Sequence, residues 1–230
     1  MYVILFFDNI ILFYITINDI NDHKNGSTPM KAIVIDIDDT VLDFGSRLRE
    51  FVNHQYDKQV TGKPLAWDLC EWLGIKEGQD VTILKEFASS WQFGALDALP
   101  GASRILTKLT QEGYDIFCIT ACSRDPQVEA LRRANMYHCF GNIFQEIFFV
   151  EFGESKATYL NKIKETHEIH AFVDDKYANL VDAENAGIEH CIMIKQPHNK
   201  VFRDKITCAH DWYEISYIIQ TWHEKTWSVQ

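Results

Sequence analysis

Short apolar segments alternate with segments of helical periodicity from Lys31 to the C-terminal region. The first apolar segment, residues 32–36, is continuous, as expected for a strand that is buried on both faces. Strands of this kind, separated by helices, form parallel sheets whose two faces are covered by the connecting helices. The sequence therefore predicts an α/β fold with three layers, in which a parallel sheet lies between helices.

The same patterns predict the individual elements. Further strands are expected at residues 114–120, 147–150, 171–174 and 190–194, the last of these being the final core strand. Helices are expected at residues 100–109, 125–134, 156–166, 177–186 and 211–220. Gly113 and Gly187 follow two of these helices, in the position where glycine commonly ends a helix.

Residues 44–99 interrupt the alternation, because their apolar residues recur at helical spacing and no strand pattern is present. We interpret this segment as a small helical domain inserted after the first strand. The core domain then consists of residues 30–43 and 100–230.

Residues 1–29 form an N-terminal extension that is rich in Ile, Phe, Leu and Tyr. A secretory signal is disfavoured because no Lys or Arg precedes Lys24. A membrane span needs about 20 predominantly apolar residues, and Asp8 and Asn9 interrupt this segment. We favour a natural start at Met30, or a disordered extension, over a membrane span.

The chain is acidic, with 22 Lys and Arg against 33 Asp and Glu and a net charge of −11. Binding to nucleic acids depends on cationic side chains that neutralise phosphates. We therefore expect no stable nucleic-acid binding, whereas a small phosphorylated ligand needs only a local positive site. No sequence pattern indicates an oligomeric state.

The six cysteines form no CxxC pair, and several lie inside apolar segments where a thiol packs as a small hydrophobic group. We interpret them as reduced, which indicates a cytoplasmic protein. A zinc site built from Cys118, Cys122 or the pair His167 and His170 is an alternative, but the spacing matches no familiar ligand pattern.

Acidic residues follow two of the predicted strands, at the edge of the sheet where ligands of such folds bind. Asp36 and Asp38 lie two residues apart after the first strand, and Asp174 and Asp175 follow a later one. Crowded carboxylates repel one another, and a divalent cation such as Mg²⁺, which prefers oxygen ligands, relieves that repulsion. We expect Asp36, Asp38 and Asp174 at a Mg²⁺ site, with Asp175 as an additional candidate. Each of them alone is equally explained as a turn former or a helix cap.

Two more polar residues are expected at the same edge. Thr120 ends the second predicted strand and Lys156 begins a helix. A hydroxyl donor and a cation there suit the oxygens of a phosphoryl group during its transfer. Considered singly, Thr120 is also a helix cap and Lys156 a solvated first-turn residue.

Four segments, in order along the chain, resemble the signature motifs of the haloacid-dehalogenase-like superfamily of phosphohydrolases. Asp36-Ile37-Asp38-Asp39-Thr40 resembles the first motif, Ile119-Thr120 the second, Lys156 the third and Val173-Asp174-Asp175 the fourth. The resemblance covers the chain from Lys31 and implies a Rossmann-like core with a helical cap at residues 44–99. Within the superfamily, residues 93–102 and Trp212 are most similar to the 5'(3')-deoxyribonucleotidases.

The resemblance also implies roles for three aspartates. Asp36 is expected to attack phosphorus and form an aspartyl-phosphate, and Asp38 to act first as general acid and then as general base. The backbone carbonyl of Asp38 is expected to join the side chains of Asp36 and Asp174 on Mg²⁺. An acid at position 38 favours phosphate chemistry over carbon–halogen cleavage.

The cap contains aromatic residues that could stack on a nucleobase, namely Phe44, Trp67, Trp91 and Phe93. Their spacing is equally that of the cap's own core. The leading hypothesis is a phosphomonoesterase for nucleoside monophosphates or another small phosphorylated metabolite. The alternatives are a phosphatase for nucleic-acid 3' ends and a noncatalytic phosphate-binding protein of the same fold.

Overall fold

The structure, a computed structural model, describes residues 29–199 and 206–227, with side chains through residue 222. The extension predicted at residues 1–29 therefore lies, except for Pro29, outside the described residues. The strands are β1 (Met30–Ile35), β2 (Asp115–Ala121), β3 (Phe144–Val150), β4 (His167–Asp174), β5 (Cys191–Ile194) and β6 (Thr207–Ala209). They form one parallel sheet in the order β3-β2-β1-β4-β5-β6.

The helices fall into two groups. The segment 44–99 contains α1 (Phe44–Gln55), α2 (Leu69–Leu73), α3 (Gln79–Ala88) and the 3-10 turn Trp91–Gly94. The core contains α4 (Ala102–Gln111), α5 (Pro126–Phe140), α6 (Ala157–Lys164), α7 (Tyr177–Asn185) and α8 (Trp212–Trp227).

Strand β1 lies at the centre of the sheet, and its side chains alternate between two buried layers. Ile33 and Ile35 belong to the hydrophobic cluster that includes residues of α4, α5 and α8. Ala32 and Val34 belong to the opposite cluster, which includes residues of α6 and α7. The predicted three-layer α/β fold is confirmed.

One predicted boundary of the sheet is wrong. Residues 190–194 were expected to form the final core strand, but β6 pairs in parallel with β5 beyond it. Strand β6 has only three residues, Thr207–Ala209, of which two are partly exposed. Such a short edge strand is held by its neighbour and carries almost no apolar pattern of its own.

The cap is joined firmly to the core at its C-terminal end. Asn135 of α5 accepts a hydrogen bond from the backbone N–H of Leu96 and donates one to the Leu96 carbonyl, at 3.0 and 2.9 Å. A Cβ at Gly94 would lie 3.0 Å from Leu131 Cδ2, so glycine permits the close approach of the 3-10 turn to α5. Helix α5 and the end of the cap therefore form one packed unit, whereas the division of the chain at residues 44–99 stays a prediction.

Within the part of the chain that the structure describes, no helix combines the length and the apolarity that a membrane crossing requires.

Candidate active site

The loop after β1 carries the first acidic motif and is held by two side chains from distant segments. Trp212 of α8 donates its indole N–H to the Thr40 carbonyl at 2.8 Å, and the Gln196 amide donates to the Asp39 carbonyl at 2.7 Å. Asp36 continues the strand ladder by donating its N–H to the Val173 carbonyl of β4 at 2.9 Å. The loop thus fixes Asp36 at the carboxyl edge of the sheet.

Lys156 lies between two of the predicted aspartates. Its Nζ is 2.7 Å from Asp174 Oδ2, and it also pairs with the carboxylate of Asp36. Burial, opposed by Lys156, raises the pKa of Asp36 to about 7. Burial alone would lower the pKa of Lys156, but attraction by Asp174 and Asp36 outweighs it, so this pKa is raised and the ammonium stays charged.

Asp174 and Asp175 are each held by further hydrogen-bond partners. The Asn179 amide lies 3.0 Å from both carboxylate oxygens of Asp174, and the Lys176 N–H donates to Asp174 Oδ1 at 2.8 Å. Asp175 Oδ2 lies 2.8 Å from His198 Nε2. Burial and the nearby Asp174 raise the pKa of Asp175 well above its ordinary value.

The donor set fits a magnesium ion. One oxygen each from Asp36, Asp174 and Asp175 lies within 4.8 Å of the other two, and all three residues are buried. Lys156 pairs with two of them, so the ionised cluster carries more negative than positive charge. Mg²⁺ prefers carboxylate oxygens and would compensate this excess.

Among the described residues, a second group that could hold a metal consists of Asp39, Asp175 and His198. Neither group contains a cysteine, His167 or His170, so the alternative of a zinc site at those residues gains no support.

Asp38 forms an ion pair with a residue of α5. Its Oδ1 lies 2.6 Å from Arg132 NH2, and 22% of its side chain is exposed. Burial raises the pKa of Asp38, and the charges of Arg132 and Lys156 oppose that rise. Asp38 therefore pairs with a different cation from Asp36 and Asp174, which both pair with Lys156.

Thr120 lies in β2 with its side chain buried. Its Oγ1 makes no hydrogen bond with any described residue. A buried hydroxyl that lacks an acceptor is costly, so this group is suited to donate to a ligand oxygen.

A cavity of about 430 Å³ lies above these residues and is lined by Asp36, Asp38, Thr120 and Lys156. This volume falls within the range of small-molecule sites, which is roughly 300–1,000 Å³. The cap side of the cavity is apolar. It includes Phe44, Leu48, Trp67, Trp72, Leu84 and Phe93.

The structure separates the aromatic candidates of the cap. Phe44 and Phe93 line the cavity, as does Trp67, whose ring centroid is 4.4 Å from that of His198. Trp91 is not among the lining residues, and 69% of it is exposed. The structure thus does not bring Trp91 to the cavity.

Three polar residues at the site were missed in the sequence, namely Arg132, Asn179 and His198. Arg132 had a detectable signal, because it occupies the buried stripe of α5 with Val128 and Met136. A charged residue at a core position of a helix indicates a buried partner. Asn179 and His198 had no such signal, since their roles depend on contacts with Asp174 and Asp175.

Two sequence comparisons relate this chain to nucleotidases. A family model described as "5' nucleotidase, deoxy (Pyrimidine), cytosolic type C protein" matches residues 30–224. A protein of Chlorobaculum tepidum named "Putative 5'(3')-deoxyribonucleotidase" is 32% identical over 103 residues, which is 42% of this chain and 50% of that protein. The chain thus spans about half the length of this relative.

Solved structures share the fold at low identity. A haloacid dehalogenase-like hydrolase of Streptococcus pneumoniae has a TM-score of 0.58 and 14% identity, covering 82% of this chain and 98% of its own. CbbY of Rhodobacter sphaeroides, solved with phosphate, has a TM-score of 0.53 and 19% identity, covering 82% and 96%. The resemblance predicted from the four motifs is confirmed.

Proposed function

Because the chain belongs to the family of cytosolic type C 5'-nucleotidases, we propose that it is a Mg²⁺-dependent phosphomonoester hydrolase that acts through an aspartyl-phosphate. The observation that carries this proposal is the group of buried Asp36, Asp174, Asp175 and Lys156 below an apolar cavity. Its substrates are nucleoside monophosphates or similar small phosphate esters.

The first half of the reaction transfers the phosphoryl group to the protein. A carboxylate oxygen of Asp36 attacks phosphorus, the ester P–O bond breaks, and Asp38 gives its proton to the leaving oxygen. Lys156 and the Thr120 hydroxyl are placed to donate to the phosphoryl oxygens, which accumulate charge during the transfer.

The second half restores the carboxylate. Asp38, now ionised, takes a proton from a water molecule, which attacks phosphorus and releases Asp36 together with inorganic phosphate. The apolar cap wall excludes other water, which protects the phosphoryl intermediate until this step.

Asp36, Asp174 and the backbone carbonyl of Asp38 would hold Mg²⁺, with Asp175 as an additional ligand. When bound, Mg²⁺ supplies the positive charge that lets a phosphate dianion approach a carboxylate. The pKa values of Asp36 and Asp175 are both raised, mainly by burial. A bound cation would favour the ionised form of both carboxyls, which accords with this role.

The cavity favours a small ester with an aromatic group. Phe44 and Trp67 offer ring surfaces on the cap side, and stacking on such surfaces is favourable for every nucleobase. The ring of Phe93 is 1% exposed and packs against Arg132, so Phe93 supports the wall instead of stacking on the substrate. The net charge of −11 disfavours an oligonucleotide.

All six cysteines are free, which supports a location in the cytoplasm.

Phosphate release from a panel of esters tests this function. The panel contains deoxynucleoside and ribonucleoside monophosphates, sugar phosphates and 3'-phosphorylated oligonucleotides, each with Mg²⁺ and with EDTA. We expect Mg²⁺-dependent turnover of nucleoside monophosphates. Turnover of oligonucleotides alone would favour the nucleic-acid phosphatase, and no turnover of any ester would favour a noncatalytic protein.

A further inference from the structure

Arg132 is a fully buried cation beside the active site. It lies on α5, its exposed fraction is 0%, and its NH2 is 2.6 Å from Asp38 Oδ1. A buried guanidinium needs a countercharge to offset its loss of hydration. Asp38 is the carboxylate within ion-pair distance of Arg132 among the described residues.

The remaining nitrogens of Arg132 are not used elsewhere. None of its three guanidinium nitrogens makes a hydrogen bond with a described residue, and NH2 meets Asp38 Oδ1 as a close ion pair. A structural arginine would be expected to distribute its donors over several backbone carbonyls. Arg132 instead directs its charge at one group, the carboxyl that faces the cavity.

The packing around Arg132 fixes its position. Its guanidinium carbon lies 3.9 Å from the centroid of the Phe93 ring, which is 1% exposed and lines the cavity. Asn135, almost one turn along α5, clamps the backbone of Leu96. The arginine is therefore held between the cap and the core, at a fixed distance from the loop after β1.

We propose that Arg132 is a positioning residue that holds the Asp38 carboxyl in place to protonate the leaving oxygen of the substrate. As the proton moves from Asp38 to that oxygen, the negative charge left on Asp38 is stabilised by the adjacent guanidinium. This inference rests on the proposed function. It assigns a role in the reaction to Arg132, a residue that contacts Asp38 and does not line the cavity.

Esters that differ in their leaving group test this role. A deoxynucleoside 5'-monophosphate releases an alkoxide, which needs a proton, whereas p-nitrophenyl phosphate releases a stable phenolate, which does not. The parameter kcat/KM covers the steps through release of the alcohol, so the later attack of water does not enter it. We expect Arg132→Met to lower kcat/KM by about 100-fold for the nucleotide and by less than about fivefold for the aryl ester.

The adjacent Arg133 provides a matched control. It lies on the same helix, pairs with Glu146 at 3.5 Å and lies over the Phe149 ring, but half of its side chain is exposed. Arg133→Met should leave both kcat/KM values within about twofold of the parent. Arg132→Lys keeps a positive charge, and its kcat/KM for the nucleotide should lie between those of Arg132→Met and the parent.

Combination with Asp38→Asn separates positioning from general damage to the fold. If Arg132 acts through Asp38, Arg132→Met should change kcat/KM little in the Asp38→Asn protein. Equal losses on both esters, or a full additional loss in the double variant, would overturn the proposal.

Two further outcomes are distinguishable. If Arg132→Met does not fold, Arg132→Lys decides, and a nucleotide-to-aryl ratio equal to that of the parent overturns the positioning role. Absence of turnover by the parent protein would instead overturn the proposed function itself.

Discussion

Asp39 is an aspartate whose surroundings oppose its charge. It is buried, its backbone φ is +53°, and its carboxyl accepts one backbone N–H, from Gly45 at 3.2 Å. Burial raises its pKa to about 7. The carboxyl of an unfolded chain ionises at about pH 4, so the folded state keeps a proton that the unfolded state has released between these values. The free energy of unfolding therefore falls as the pH rises from 4 to 7, because the folded state must ionise a buried carboxyl. Above pH 7 this destabilisation by Asp39 has reached its full size.

Replacement of Asp39 by asparagine should remove this cost. In the protein without metal, we expect Asp39→Asn to raise Tm by about 3–8 °C at pH 8 and by about a third as much at pH 5. Asparagine tolerates positive φ as well as aspartate does, so the backbone is preserved. Thermal unfolding in EDTA at the two pH values measures the effect.

Asp57 is the matched control. Among the described residues other than glycine, Asp39 and Asp57 are the two with a positive φ, and Asp57 is exposed. Asp57→Asn should leave Tm unchanged at both pH values. An equal gain from Asp39→Asn at pH 5 and pH 8 would show that ionisation is not the cause.

At the residue scale, the sequence predicted the groups whose chemistry appears in a local motif. Asp36 and Asp38 follow a recognisable strand, and Thr120, Lys156 and Asp174 occur in the expected order. Contacts such as those of Asn179 and His198 could not be predicted, because the partner residues are distant in sequence and the contact depends on how two loops fold.

At the scale of elements, we propose that the cap selects the ester that reaches Asp36. Its wall offers aromatic and aliphatic side chains but few polar partners, and such a wall is suited to recognise a ligand by its shape and by stacking. The aromatic core of the cap supports this wall, since Phe87 contacts both Phe44 and Phe93, with ring centroids 5.4 and 5.7 Å apart.

Two tryptophans of the cap test the role of the wall. Trp67 lines the cavity and Trp91 does not, although both are more than half exposed. We expect Trp67→Ala to raise KM for a nucleoside monophosphate by about tenfold, because stacking contributes about 1–3 kcal/mol. Trp91→Ala should leave KM within about twofold.

Steady-state kinetics of the two variants provide the measurement. The reverse result, a raised KM in Trp91→Ala with no change in Trp67→Ala, would support the candidate suggested by the sequence and contradict the cavity seen in the structure.

A helix or strand could be predicted from the sequence where its own residues carry a clear apolar pattern. Strand β1 and helix α4 carry strong apolar periodicity and were found, whereas β6 depends on β5 and was missed. The burial of Arg132 depends on packing between α5 and the cap, and helical spacing alone could not reveal its partner Asp38.

At the scale of the whole molecule, the parallel sheet assembles groups that are far apart along the chain. Asp36 follows β1, Thr120 lies near the end of β2 and Asp174 ends β4, and these adjacent strands end at one edge. Lys156 precedes α6 and joins them from the loop after β3. The order of the strands in the sheet therefore brings the four motifs together, and they form one site only in the folded protein.

The most direct measurement of the central claim is phosphate release from p-nitrophenyl phosphate by the parent protein and by Asp36→Asn. We predict Mg²⁺-dependent release by the parent, abolished by EDTA, and a loss of about a thousandfold or more in Asp36→Asn, because an amide is a poor nucleophile. Asp182→Asn alters a carboxyl that lines the cavity outside the metal-binding cluster and should retain activity. Activity of a folded Asp36→Asn protein near the parent level would contradict the account.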